Sequence, residues 1–183
     1  MPAESAAPVY EARYGVDRRS LGVLAGSALF TVFLALADFT LVQRVLGLVL
    51  FGGGGVFFAF TTVSRKVAFR VDGTGVLLGG SPARYQATTA HVPWEDITAV
   101  VLWRQHSAAG IPWVGVARRP EAGPLPGPGQ GRAARATMRA LAPEVPADVA
   151  LASRAVSGWR LDRDALSAAV AHFAPGVQVV DAG

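Results

Sequence analysis

The chain has 183 residues, 51% of them hydrophobic and only 16% charged, with a mean hydropathy of +0.36. A soluble domain carries about 25% charged residues, so this balance argues against disorder and against a wholly water-soluble protein. The length leaves room for one ordinary domain with a membrane segment, not for a large multidomain enzyme. With no cysteine in the sequence, disulfides, thiolate nucleophiles and cysteine-ligated metals are excluded. Lys66 is the single lysine against 16 arginines, asparagine is absent, and isoleucine occurs only at Ile97 and Ile111. That skew is the mark of a GC-rich, bacterial type of genome, and it inflates the pI of about 10.3. The basic pI is therefore poor evidence for a nucleic-acid partner.

Charge divides the chain into three zones, with 6 charged residues in positions 1–19, 2 in 20–64 and 22 in 65–183. Residues 20–37 and 45–64 carry no charge at all. As helices they would reach roughly 27 and 30 Å, close to the hydrocarbon thickness of a bilayer. The intervening DFTLVQR, residues 38–44, is long enough only for a tight turn, so the pattern predicts a transmembrane hairpin. Arg13, Arg18, Arg19, Arg65, Lys66 and Arg70 flank the spans, whereas the turn offers Arg44 alone. The positive-inside rule then puts both termini in the cytoplasm of a multi-pass protein of the cell (inner) membrane. Two other readings are a buried hairpin in a soluble protein and a signal peptide cleaved after Ala35-Leu36-Ala37. The first lacks a polar face of helical period. The second has too long an apolar run, followed at once by another.

Small residues mark the packing of the spans. Gly22 and Gly26 stand four apart, the spacing that lets helices approach, and Gly52, Gly53, Gly54 and Gly55 interrupt the second span. The expected use is packing of one span on the other, with a homodimer face at Gly22 and Gly26 as the alternative. No strand precedes the four-glycine run and no Lys-Ser or Lys-Thr follows it, so it is not a phosphate loop.

After Lys66 the period changes to two. VAFRVDGTGVLLGG, residues 67–80, predicts a β-hairpin turning at Asp72-Gly73-Thr74-Gly75, and SPARYQA follows as a loop. Strands are expected over 90–94, 97–104 and 111–118. The segment 119–131, with four prolines and four glycines, is expected to be a loop with no core. Short helices are predicted over 133–141 and 145–152, and a strand over 155–161. Asp162 reads as the N-cap of a helix over 163–173 that lays Leu166, Ala169, Val170 and Phe173 on the sheet, with Pro175-Gly176 ending it.

This order of elements, with FRVDGTGVLL and VPWEDITAVVLW at the hairpins, resembles bacterial membrane proteins of the actinobacterial type that carry a PH-like domain. The resemblance implies an α+β fold: a two-helix transmembrane hairpin, then a PH-like antiparallel β-sandwich or barrel of about seven strands closed by a late amphipathic helix. The chain departs from that pattern in the Pro-rich insertion, the extra helical stretch and the tail VQVVD.

Chemistry-bearing motifs are sparse. His91, His106 and His172 lack metal-ligand spacing, and Glu95 and Asp96 are neighbours that an extended chain would send to opposite faces. No nucleophile elbow or dinucleotide fingerprint occurs. The expectation is a protein without catalytic, metal or cofactor residues. Arg18, Arg19, Arg65, Lys66 and Arg70 are expected to anchor the spans at anionic headgroups. Arg132, Arg135 and Arg139 share one helix face, either resting on the lipid surface or solvated. Residues 65–183 carry 13 basic and 9 acidic side chains, which is no nucleic-acid footprint. Trp94, Trp103, Trp113 and Trp159 are expected in the core, with a partly exposed pair lining a groove as the alternative. The functional expectation is a non-enzymatic membrane protein presenting a cytoplasmic interaction or scaffolding domain to a protein partner. The alternatives are an accessory factor that senses anionic lipid and, third, a membrane-embedded enzyme.

Overall fold

A strand stands where the sequence suggested only a cytoplasmic N-terminal segment. The computed structural model describes residues 9–16, 18–107, 110–126 and 131–182. Within them Tyr10–Arg13 (β1) buries Tyr10 and Ala12 and turns Glu11 and Arg13 outward, the alternation of a half-buried strand. β1 pairs antiparallel with Val67–Asp72 (β2), Tyr10 opposite Val71 and Ala12 opposite Phe69. The ladder is extended by Tyr14, whose N–H donates to Lys66 O at 2.9 Å, and Gly15 N–H donates to Gly158 O at 2.7 Å. Everything between β1 and β2 is thus an insertion between two hydrogen-bonded neighbours, and both of its ends leave from one side of the sheet.

That insertion is helical: Arg18–Leu36 (α1) and Leu41–Val63 (α2). α2 begins four residues earlier than hydropathy suggested, because Thr40 caps it. Its hydroxyl accepts the Gln43 N–H at 3.4 Å, and Gln43 Oε1 accepts the Thr40 N–H at 3.2 Å. Residues 41–44 therefore belong to the helix rather than to the turn. Arg44 Nη2 reaches back to the Ala37 carbonyl at 3.0 Å, satisfying the end of α1. α2 has 23 residues and a mean hydropathy of 1.9 over its most apolar window, and among the described residues it is the one helix long and apolar enough to cross a membrane. The apolar part of α1, Ser20–Leu36, is shorter. By length and composition the two expected spans thus reduce to one candidate span and one shorter apolar helix. Large side chains on both point outward, Leu36 80%, Leu41 78% and Leu29 73% exposed, which removes the buried-hairpin reading.

The contact between α1 and α2 is built differently from the expectation. A Cβ at Gly47 would stand 2.5 Å from Leu34 Cδ1, one at Gly55 2.6 Å from Ser27 Oγ, and one at Gly52 3.6 Å from Thr31 Cγ2. Gly22, Gly26, Gly53 and Gly54 have nothing within 4 Å of such a Cβ. Helix packing therefore uses Gly52 and Gly55 of the expected set and adds Gly47. The reason is a π-helical stretch at Leu48–Gly53, which re-phases α2 relative to a straight helix. Ser27 Oγ donates to the Phe51 carbonyl inside that stretch at 2.6 Å. Ser27, Thr31 and Leu34 thus meet the glycines of α2, while most large apolar side chains face outward.

The remainder is an α+β domain of two sheets. Gly75–Leu78 (β3) and Ala90–Pro93 (β4) complete the first, in order β1-β2-β3-β4. The second contains Ile97–Arg104 (β5), Pro112–Arg118 (β6), Ser153–Ala155 (β7) and Gln178–Asp181 (β8), in order β7-β6-β5-β8. β8 runs parallel to β5, so this sheet is mixed rather than purely antiparallel. Parallel pairing requires a crossover, and the helix Arg163–Phe173 supplies it. Other local differences are a helical turn at Pro82–Arg84 and Tyr85–Thr88 where a loop was expected, and a strand ending at Ala155 rather than continuing to 161.

Two apolar layers hold the domain. Phe69, Val71, Val76, Leu78 and Val92 of the first sheet meet Val100, Leu102, Val114 and Val116 of the second. Leu166, Ala169 and Val170 of the late helix close this core, as their spacing predicted. On the other face of β5, Val101 and Trp103 pack with Val149 and Ala150 of Ala147–Leu151 (α4) and with Ala142 and Val145 of the link that joins it to Arg132–Leu141 (α3), whose Met138 lies partly buried against them. The late helix, α5, is capped by Asp162, whose carboxylate accepts the Ala165 N–H at 3.0 Å.

Candidate functional site

Where α2 meets the domain there is a cavity of about 600 Å³, within the range of ligand pockets. Phe58, Thr61 and Thr62 of the last turns of α2 form one wall, and Tyr14, beyond β1, stands beside them. Pro82, Arg84 and Thr88 come from the helical turn after β3. Trp113 of β6, Met138 of α3, Leu151 of α4 and Arg154 of β7 complete it. With Leu125 and Pro126 of the Pro-rich loop, seven separate stretches of sequence converge here, mostly with apolar side chains.

Arg154 is the chemically distinctive member. Its Nε donates to Gly79 O at 2.8 Å, Nη1 to Ser153 O at 3.0 Å and Nη2 to Thr88 O at 2.9 Å. All three acceptors are backbone carbonyls, and among the described residues no carboxylate pairs with it. A guanidinium has five N–H donors, so two remain for another acceptor. Burial pushes the Arg154 pKa down, with Tyr14 acting weakly in the other sense. Burial likewise pushes the Tyr14 phenol up, and its hydroxyl donates to Gly80 O at 3.3 Å. Trp113 stacks on Trp103 with centroids 4.9 Å apart, and its buried Nε1 has no hydrogen-bond partner. The cavity thus borders a withdrawn positive charge that no carboxylate among the described residues pairs with.

The basic residues singled out from sequence are distributed differently. Arg18 and Arg19 open α1, but their side chains lie outside the described residues. Arg65 is exposed directly after α2, with φ of +51°, the left-handed residue that ends the helix. Lys66 Nζ is held by the Pro82 carbonyl at 2.8 Å and lies 5.2 Å from the Tyr85 ring centre, so it braces the cavity wall. Arg70 sits on β2 with Nε 2.9 Å from Asp72 Oδ2. Arg132, Arg135 and Arg139 are exposed along α3, with Met138 half-buried toward the second core and the cavity. Trp103 and Trp159 are buried in the core, whereas Trp94 and Trp113 are only partly buried. Of the Pro-rich loop, residues 127–130 lie outside the described residues.

The three histidines lie apart, His91 on β4, His106 beyond β5 and His172 at the end of α5. His91 Nε2 is 3.0 Å from Thr74 Oγ1. Among the described residues no three His, Asp or Glu side chains gather as metal ligands. Sequence reasoning missed Tyr14 and Arg154. Neither belongs to a motif; a lone arginine between Ser153 and Ala155 in a short strand was the only available signal. The chain matches no known protein family, and neither a curated protein nor a solved structure is found to be similar to it.

Proposed function

We propose that this chain is a non-enzymatic membrane protein that holds an interaction domain of PH-like type against the bilayer surface. In this reading α1 and α2 enter the membrane as a hairpin, and the two-sheet domain lies at the side from which both helices leave. The observation that carries it is the pairing of β1 with β2 around two helices whose large side chains face outward. In water such a surface would be an aggregation liability, whereas in lipid it is ordinary solvent contact. α1 is short for a perpendicular span, and a hairpin accommodates such a segment by local thinning of the bilayer or by its flanking arginines reaching the headgroups. Those arginines favour the cytoplasmic side for both termini and for the domain.

An interaction role fits better than catalysis because, among the described residues, no carboxylate or histidine lines the cavity, whose titratable side chains are Tyr14, Arg84 and Arg154. The proposal is tested by fractionation and by reporters. The full chain should stay with membranes through alkaline carbonate extraction. A reporter at the C terminus should be active only in its cytoplasmic form, and one inserted between Ala37 and Thr40 only in its periplasmic form. Release by carbonate would refute the membrane anchor, and a periplasmic C terminus would refute the orientation.

A further inference from the structure

We infer that the junction cavity is a binding site for one anionic phospholipid, its headgroup held by Arg154 and its acyl chain lying along the end of α2. The inference rests on the membrane-anchored reading and adds to it a ligand class and a site. Arg154 brings an uncompensated positive charge to the cavity, fixed in position by three backbone carbonyls, with two guanidinium N–H groups left to donate. Phosphate oxygens are the acceptors such a planar fork matches best. Arg84, exposed at the rim, adds a second cation on the same wall. The Trp113 side chain borders the same space.

The choice of a lipid over a soluble anion comes from the remaining walls. Phe58 and Thr61 belong to the helix that is long and apolar enough to span, so the cavity opens where that helix leaves the hydrocarbon. With Leu151 and Met138 opposite, the lining is largely apolar, which a small hydrophilic anion would leave unmatched. A volume of about 600 Å³ holds a headgroup and part of a chain, and the rest of the lipid remains in the bilayer. This site differs from the surface arginines of α3 in being concave and in using a residue of β7.

The test uses the full chain in micelles of an uncharged detergent, titrated with phosphatidylglycerol or phosphatidylcholine brominated on the acyl chain. Trp113 reports binding through quenching, and Trp113→Phe identifies its share of the signal. The expected result is half-quenching at about a tenfold lower mole fraction of the anionic lipid, a difference set by the charged contact. Arg154→Met should abolish the preference, and Arg154→Lys should keep part of it. Because Arg154 also ties the loops together, a second variant, A87F/S157F, blocks the cavity from exposed positions and should remove quenching at Trp113. If Arg154→Met does not fold, that variant decides. Equal quenching by both lipids, or undiminished quenching in the blocked variant, overturns the site. Displacement by millimolar glycerol phosphate would show a soluble-anion site and overturn the lipid assignment. A chain that stays in membranes after carbonate yet shows no headgroup preference would sink this inference while leaving the anchor intact.

Discussion

The helical hairpin and the two-sheet domain bury opposite kinds of surface. In the domain, Phe69, Val71, Val76 and Leu78 are fully withdrawn and, Arg154 apart, most charges lie toward the outside. In the hairpin the closest contacts between helices are made by Ser27, Thr31, Leu34, Gly47 and Gly55, while most leucines and phenylalanines, Leu29, Leu36 and Leu41 among them, look outward. On the proposed membrane reading, one chain follows two solvents. Where water surrounds the chain, apolar burial drives packing; where lipid does, leucine gains nothing by hiding, and close backbone approach with hydrogen bonding takes over. The boundary runs through residues 64–66, where Arg65 adopts the left-handed conformation and β2 begins.

Substitution of apolar side chains should separate the two regions most strongly. Phe69 is fully buried and stacks on Trp159 with centroids 6.3 Å apart, so Phe69→Ala should destabilise the domain by about 3–5 kcal/mol. Leu29→Ala, at a position 73% exposed, should move the same denaturation curve by less than about 0.5 kcal/mol. Chemical denaturation of the detergent-solubilised chain measures both, and comparable losses would erase the distinction.

Small residues should behave in the reverse way. Gly47→Ile forces a side chain onto Leu34 and should weaken helix pairing by about 1–3 kcal/mol, whereas Gly22→Ile meets open space. The cysteine-free chain makes this measurable: a Ser27→Cys, Gly55→Cys pair should oxidise to an internal disulfide, and its yield should fall with Gly47→Ile and not with Gly22→Ile. Equal yields in all backgrounds would show that the close approach at Gly47 does not govern pairing.

The smallest effect concerns the acid side of domain stability. Burial raises the Asp72 carboxyl, but the Thr74 hydroxyl and N–H, then Arg70 and His91, outweigh it and hold the pKa below its ordinary value. The carboxylate therefore contributes stability above about pH 4 that is lost as pH falls through the depressed folded value. Asp72→Asn should lower the thermal midpoint at neutral pH and flatten its decline in acid. An unchanged acid limb would remove Asp72 from the account.

Much of the domain was legible along the chain because the signals are local. The Asp72 to Gly75 turn, the alternation in β2, the β-branched run of β5 and the Asp162 cap each depend on a few neighbouring residues. β1 was hidden because four residues pair only with a strand more than fifty positions away, and the parallel placement of β8 needed the crossover helix to be positioned first. The start of α2 was misread because hydropathy registers charge at Arg44, whereas the capping geometry of Thr40 and Gln43 decides where helical hydrogen bonding begins.

The candidate site lay beyond such signals altogether. By itself the sequence determined the division between an apolar segment and a charged domain, the order of most elements and the α+β class, since these follow from composition and period. Only the tertiary structure decided which glycines meet the opposite helix, because a π-helical stretch changes the face they present. It alone brought Tyr14, Phe58, Trp113 and Arg154 around one cavity. Their meeting depends on sheet pairing and on the emergence of α2 beside β7, which are long-range contacts that no local pattern encodes.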